Sequence, residues 1–271
     1  QSNTHVLAFY GKIKKQFDED TANDYFTEEA KANVSRLFEE YNALLREEKY
    51  QEAEDDFLKA VEYDANNAEN YLGLAIARAK QEKFQEALES FAKAAELSPN
   101  AGIIYYNRAG VYRDMGEADA AISDYSKVLE FEPENAFVYV NRAQIYRATK
   151  RYTEAMNDLN KAAELQPRNP DVYNEQAIVL DGQGNYKDAL AAMDKALKLN
   201  KDNIVYYANR GFINEHAGNN DKAIKDYNEA LLRNPQNSIV LYQRGALYKK
   251  MGKTAEAEAD YKAATAINPG Y

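Results

Sequence analysis

Few side chains in this sequence have the types and spacing that chemistry requires. Its 271 residues include no cysteine, which excludes thiolate metal sites and cysteine nucleophiles. The two histidines, His5 and His216, share no metal-ligand spacing. Carboxylates occur in runs such as Glu54-Asp55-Asp56, which are typical of solvated helix faces. We therefore expect no catalytic residue, no metal and no cofactor, and the informative features are the elements that the chain builds.

Five of the six prolines recur at multiples of 34 residues, at Pro99, Pro133, Pro167, Pro235 and Pro269. Proline fixes its own φ and cannot donate a backbone hydrogen bond, so it marks places where a helix ends. The spacing predicts one structural unit copied along the chain. Seven repeats tile the sequence without a gap, at 34–67, 68–101, 102–135, 136–169, 170–203, 204–237 and 238–271.

Each repeat carries the pattern of two amphipathic helices. When its residues are numbered from 1 to 34, positions 4, 8 and 11 form one helical stripe and positions 20, 24 and 27 form another. Position 20 is always alanine, positions 8 and 27 are mostly small, and position 24 is large and mostly aromatic. Glycine at position 15 in four repeats and asparagine at position 34 in five repeats predict a helix C-cap and N-cap.

This pattern resembles the tetratricopeptide repeat (TPR) in its period and its columns. The resemblance covers residues 34–271 and implies an all-α fold, a right-handed α-solenoid of seven helix–turn–helix repeats. Residues 1–33 lie outside the period. Val6, Tyr10, Ile13 and Phe17 recur there at helical spacing, so we expect an N-terminal helix that caps the first repeat. The alternative is a helix for self-association or for a partner.

A second pattern links positions 7 and 23. Four repeats combine arginine at position 7 with aspartate at position 23, namely Arg108 with Asp124, Arg142 with Asp158, Arg210 with Asp226, and Arg244 with Asp260. The fifth repeat has Gln176 and Ala192 in the same two columns. Because the two residue types occur and disappear together there, we predict an ion pair between the two helices of each of these four repeats.

The TPR resemblance also implies where a ligand would bind. In that family, positions 2, 5, 6, 9, 12 and 13 of the first helix line a concave groove that holds peptides. In this chain, positions 2 and 5 predict an exposed apolar stripe, and amides at positions 5 and 6 could hydrogen-bond a ligand backbone. The candidate groove residues are Ile103, Tyr106, Asn107, Phe137, Val140, Asn141, Asn174, Val205, Asn209, Ile239, Tyr242 and Gln243. Because positions 2, 5 and 6 hold no lysine or arginine, we do not expect the family's carboxylate clamp for chaperone tails.

Charge and hydropathy narrow the class of partner. A net charge of −10 argues against nucleic acid, and no apolar run approaches the ~20 residues of a membrane span. The lack of cysteine favours an exported or periplasmic location slightly over a cytoplasmic one. We expect a non-catalytic scaffold that binds a protein or peptide. The alternative is a structural subunit of a complex, or a homo-oligomer that assembles through its terminal helices and its uncapped C-terminal repeat.

Overall fold

The computed structural model of the protein describes residues 49–271. The expected N-terminal cap at 1–33 and the first helix of the first repeat lie outside the described residues. Thirteen α-helices and no strand occur within 49–271. They are α1 (Tyr50–Tyr63), α2 (Ala68–Lys80), α3 (Phe84–Leu97), α4 (Gly102–Asp114), α5 (Ala118–Phe131), α6 (Ala136–Ala148), α7 (Tyr152–Leu165), α8 (Pro170–Gly182), α9 (Tyr186–Leu199), α10 (Ile204–His216), α11 (Asn220–Arg233), α12 (Ser238–Lys250) and α13 (Thr254–Ile267). The described residues form two compact bodies, 49–87 and 88–271.

The helices confirm the predicted repeat. Every even-numbered helix occupies positions 1–13 of its repeat and is called helix A, and every odd-numbered helix occupies positions 17–30 and is called helix B. The asparagine at position 34 caps the next helix A in five repeats, as predicted. Asn203, for example, accepts a hydrogen bond from the backbone N–H of Val205 at 2.9 Å. The all-α fold therefore follows directly from the period of the sequence.

The turn between helices A and B requires a left-handed residue at position 15. Gly116, Gly184, Gly218 and Gly252 adopt φ values between 75° and 80° there. Where the repeat has no glycine, Glu82 and Lys150 adopt φ values of 60° and 59°. The backbone geometry of the turn is therefore set by the repeat, and glycine is the residue that adopts it without a steric cost.

Helices A and B of one repeat pack closely through small residues. A Cβ atom on Gly211 at position 8 would stand 2.8 Å from Cε1 of Tyr227 at position 24. Ala223 at position 20 is fully buried beside that ring. The small columns thus leave room for the large side chain at position 24, which is aromatic in most repeats.

The predicted ion pairs are confirmed in all four repeats. Arg142 is representative, because its Nε and Nη2 donate to the two carboxylate oxygens of Asp158 at 2.8 and 2.7 Å. The hydrogen bond to Asp158 raises the pKa of Arg142 above its usual value. The other pairs are Arg108–Asp124, Arg210–Asp226 and Arg244–Asp260. Each pair joins helix A to helix B of its own repeat.

In the last four repeats, position 7 also joins the repeat to the one before it, which the sequence pattern did not predict. The third nitrogen of Arg142, Nη1, donates to Ser126 Oγ at position 25 of the preceding repeat, at 2.8 Å. The fifth repeat keeps this bond without the arginine, because Gln176 Nε2 donates to Asn160 Oδ1 at 2.9 Å. The same contact recurs as Arg210–Asp194 and Arg244–Asn228. Where position 7 is Arg142, Arg210 or Arg244, one side chain therefore connects its own helix A to the B helices before and after it.

Candidate functional site

The A helices of the second body lie side by side. α6 contacts α8, α8 contacts α10, and α10 contacts α12. Hydrogen bonds between residues 35 positions apart join these neighbours, since Asn141 Nδ2 donates to the hydroxyl of Tyr106 at 3.0 Å and Asn209 Nδ2 donates to Asn174 Oδ1 at 2.8 Å. Equivalent positions of successive repeats therefore form continuous rows. The surface built by positions 2, 5, 6, 9, 12 and 13 of α4, α6, α8, α10 and α12 is called the A-helix face below.

Apolar side chains are exposed on the A-helix face in the N-terminal halves of α10 and α12. Val205 and Ile239, both at position 2, are 55% and 58% exposed, and Tyr242 at position 5 is 43% exposed. Phe137, in α6, is also exposed, and Val140 is half-buried. These residues occupy the positions that the sequence assigned to an apolar stripe.

The expectation that Ile103 belongs to this exposed stripe is wrong, because its side chain is only 6% exposed. Asn174, expected to present an amide to a ligand, is also buried, and it accepts the hydrogen bond of Asn209. A column determines the direction in which a side chain leaves its helix, but it does not determine what covers that side chain. The exposed apolar side chains of the A-helix face therefore lie on later helices than α4, at Phe137, Val205 and Ile239.

The predicted amides are mostly engaged within the array. Asn107 Nδ2 donates to the carbonyl of Ile103 at 2.8 Å, and the Nδ2 atoms of Asn141 and Asn209 donate to the neighbouring A helix. An amide also carries an acceptor oxygen, so these residues can still accept a hydrogen bond from a ligand N–H. Gln243 differs, since its Oε1 is buried without a hydrogen-bond partner among the described residues.

Aromatic residues of the last two repeats extend the apolar surface. The ring of Tyr242 stacks on Tyr271 with centroids 4.9 Å apart, and it lies 5.3 Å from the ring of Tyr261. Phe212, at position 9 of α10, is 40% exposed and lies 4.1 Å from the imidazole of His216. Phe212 is not among the residues predicted from the sequence. The signal that could have found it is its column, which belongs to the same face as Val205.

Two acidic groups on the A-helix face, Glu175 and Asp181, are paired and largely covered. Glu175 accepts a hydrogen bond from Gln144 at 3.2 Å and lies 3.6 Å from Arg147. Burial raises the pKa of Glu175 above its usual value. Both carboxylate oxygens of Asp181 lie 2.9 Å from His216 Nδ1, and the Asp181 side chain is only 10% exposed. These contacts again cross from one repeat to the next.

Family models of the tetratricopeptide repeat match nearly all of the repeat region. The matched residues are 38–102, 103–135, 143–180, 170–203, 205–237 and 238–271. The chain belongs to the tetratricopeptide repeat family. Proteins with TPRs are generally non-catalytic scaffolds for protein–protein interaction. Among curated proteins, none matches this TPR chain.

Solved structures share the TPR fold with this chain. A tetratricopeptide repeat protein from Parabacteroides merdae is 22% identical with a TM-score of 0.73, over 86% of this chain and 93% of that one. PilF of Pseudomonas aeruginosa is 21% identical with a TM-score of 0.60, over 75% of this chain and 93% of that one. The Cut9–Hcn1 hetero-tetramer of the APC/C includes a chain that is 21% identical with a TM-score of 0.64, over 83% of this chain and 44% of that one. At these identities the likeness concerns the fold alone.

Within residues 49–271 of the TPR chain, no group of histidine and carboxylate side chains is arranged to hold a metal ion. No helix in the same range is long and apolar enough to cross a membrane. Within the described residues, the A-helix face presents exposed apolar side chains, side-chain amides and, at one edge, charged groups.

Proposed function

We propose that this TPR chain is an interaction scaffold that binds a segment of a partner protein along its A-helix face. The observation that carries the proposal is the exposure of large apolar side chains on adjacent A helices, centred on Val205, Phe212, Ile239 and Tyr242. Monomeric proteins seldom expose contiguous apolar surface of this kind unless it serves an interaction. The residues lie on α10 and α12, which contact each other.

Burial of this apolar surface would contribute to holding a peptide. Covering a valine, isoleucine or phenylalanine side chain completely contributes about 1.5–3 kcal/mol, and these four side chains are roughly half exposed. Their burial would thus supply several kcal/mol in total, of which association itself consumes a large part. The resulting affinity would be moderate and would depend on the central side chains.

The face is also fixed before a ligand arrives. Hydrogen bonds such as Asn209–Asn174 and the contact of His216 with Asp181 hold neighbouring A helices in register. A preorganised surface loses less conformational entropy on binding than a mobile one. The amide oxygens of Asn107, Asn141 and Asn209 then remain to accept hydrogen bonds from the backbone of an extended segment.

The test is selection from a displayed peptide library on three forms of the chain. Wild type is compared with Val205→Ser/Ile239→Ser, which removes apolar surface from the A-helix face. The matched control is Leu199→Ser/Leu232→Ser, which replaces two exposed apolar residues on helices B. Circular dichroism and thermal unfolding establish that all three forms are folded to the same extent.

We expect wild type and the control to enrich the same motif and the Val205→Ser/Ile239→Ser variant to lose it. If the variant retains the motif, or if wild type enriches none, the A-helix face does not bind linear peptides and the proposal is wrong. A motif lost in the control alone would place the binding surface on the B helices.

A further inference from the structure

Exposed positive charge lies at one edge of the A-helix face, in the last repeat. Lys249 and Lys250, at positions 12 and 13 of α12, are exposed, and Lys253 follows in the turn. The repeat at 238–271 contains five basic and three acidic residues, although the whole chain has a net charge of −10. This repeat is therefore a local basic region on an acidic protein.

The nearby carboxylates do not neutralise these lysines fully. Glu215, on α10, lies 3.5 Å from Lys250 Nζ, but the Lys250 side chain is still 60% exposed and that of Glu215 only 21%. The carboxylate of Asp181 already contacts Nδ1 of His216. A ligand that approaches this edge thus meets exposed ammonium groups, whereas the anionic groups beneath are covered.

The lysines are continuous with the apolar surface. Ile239, Ala246 and Lys250 are separated by seven and four residues, and this spacing places them on one stripe of α12. Tyr242 and Lys249 are seven residues apart and flank that stripe. All five side chains are exposed, so one binding segment can touch the apolar and the basic groups together.

We propose that the surface of α10 and α12 binds a protein segment that carries apolar side chains next to carboxylates. The apolar side chains cover Val205, Phe212 and Ile239, and the carboxylates pair with Lys249 and Lys250. This inference rests on the proposed function and specifies the chemistry of the partner. Charge complementarity is the reason for the choice, because a basic segment would be repelled at this edge.

The experiment begins with the pool of displayed peptides that wild type enriches. We expect the pool to combine apolar residues with aspartate or glutamate and to be depleted of lysine and arginine. The strongest peptide is then labelled with fluorescein, and its affinity is measured by anisotropy at low and high salt. Replacing its carboxylates by amides should weaken binding by about three- to tenfold at low salt, since exposed ion pairs contribute modestly, and high salt should reduce the difference.

Charge reversal supplies the decisive comparison. Lys249→Glu/Lys250→Glu should weaken binding of the acidic peptide and strengthen binding of a version in which lysines replace its carboxylates. The control Lys222→Glu/Lys225→Glu makes the same change in net charge at exposed positions of α11 and should leave the preference unchanged.

Three results would overturn the inference, in two distinguishable ways. Enriched peptides that depend on Val205 and Ile239 but show no preference for acidic residues would leave the proposed function intact and refute the assignment of an acidic segment. The same conclusion follows if both charge-reversed variants behave alike. A wild type that enriches no peptide would refute the proposed function, and the inference would fall with it.

Discussion

The ion pair between positions 7 and 23 can be tested by removing its acid in one repeat. In Asp158→Ala, the guanidinium of Arg142 loses two hydrogen-bond acceptors, at 2.8 and 2.7 Å. Removing one partner of a fully buried pair costs about 3–5 kcal/mol, because an uncompensated charge is left behind. Arg142 is 17% exposed and keeps its bond to Ser126, so water can reach part of it. We therefore expect a loss of about 2–3 kcal/mol.

The chain itself supplies the matched control. The fifth repeat has Gln176 and Ala192 in these columns and still forms the bond to the preceding repeat, from Gln176 to Asn160. Arg142→Gln/Asp158→Ala reproduces that combination in the fourth repeat and leaves no charge without a partner. We expect it to cost about 1 kcal/mol or less, even though it changes two residues.

The assay is urea unfolding followed by circular dichroism and by tyrosine fluorescence. Urea is preferable to guanidinium chloride because it does not screen the ion pair. Since repeat arrays can depart from two-state behaviour, the agreement of the two probes must be established before free energies of unfolding are compared. If Asp158→Ala unfolds at the same urea concentration as wild type, or if the double variant is the less stable of the two, the reasoning is refuted.

Three further predictions concern packing, titration and capping. Gly211→Ala should lower the free energy of unfolding by about 1–3 kcal/mol, because the new methyl group would stand 2.8 Å from the ring of Tyr227. Gly110→Ala should raise the free energy of unfolding by up to about 1 kcal/mol, because its Cβ would have no neighbour within 4 Å. Urea unfolding of both variants checks this prediction, and equal effects would contradict it. Burial raises the pKa of Tyr125 to about 12, above the value of about 10 in an unfolded chain. Its stabilising contribution is therefore complete below pH ~10 and is lost as the pH rises toward 12, so Tyr125→Phe should lower the sensitivity of Tm to pH across that window. Asn203→Ala removes the cap on α10 and should cost about 1 kcal/mol, measured by urea unfolding; an unchanged midpoint would show that the cap contributes nothing.

The repeat could be predicted in detail because its information is local and is copied. Helices A and B, their asparagine caps and the left-handed turn depend on residues within a few positions of one another. The pairing of Arg142 with Asp158 spans only 16 residues and lies within one repeat. Co-occurrence of the two residue types across repeats was therefore enough to predict their contact.

The candidate site was predicted less completely, because its exposure depends on neighbouring repeats. Ile103 and Val205 share a column, yet one is buried and the other is more than half exposed. Asn174 was expected to face a ligand, but it receives a hydrogen bond from Asn209, 35 residues away. The column of Phe212 places it on this face, but its 40% exposure is known only from the structure.

The helical repeat, its register and the ion pairs within it follow from the sequence, since periodicity and capping act over distances shorter than one repeat. Which members of each column remain exposed follows only from the packing of neighbouring repeats, and so do the hydrogen bonds from position 7 to position 25 of the preceding repeat, as in Arg142–Ser126. Hydrogen bonding and burial between repeats depend on the two particular side chains that meet there. A column composition averages over all such pairs, whereas packing selects one pair at each interface.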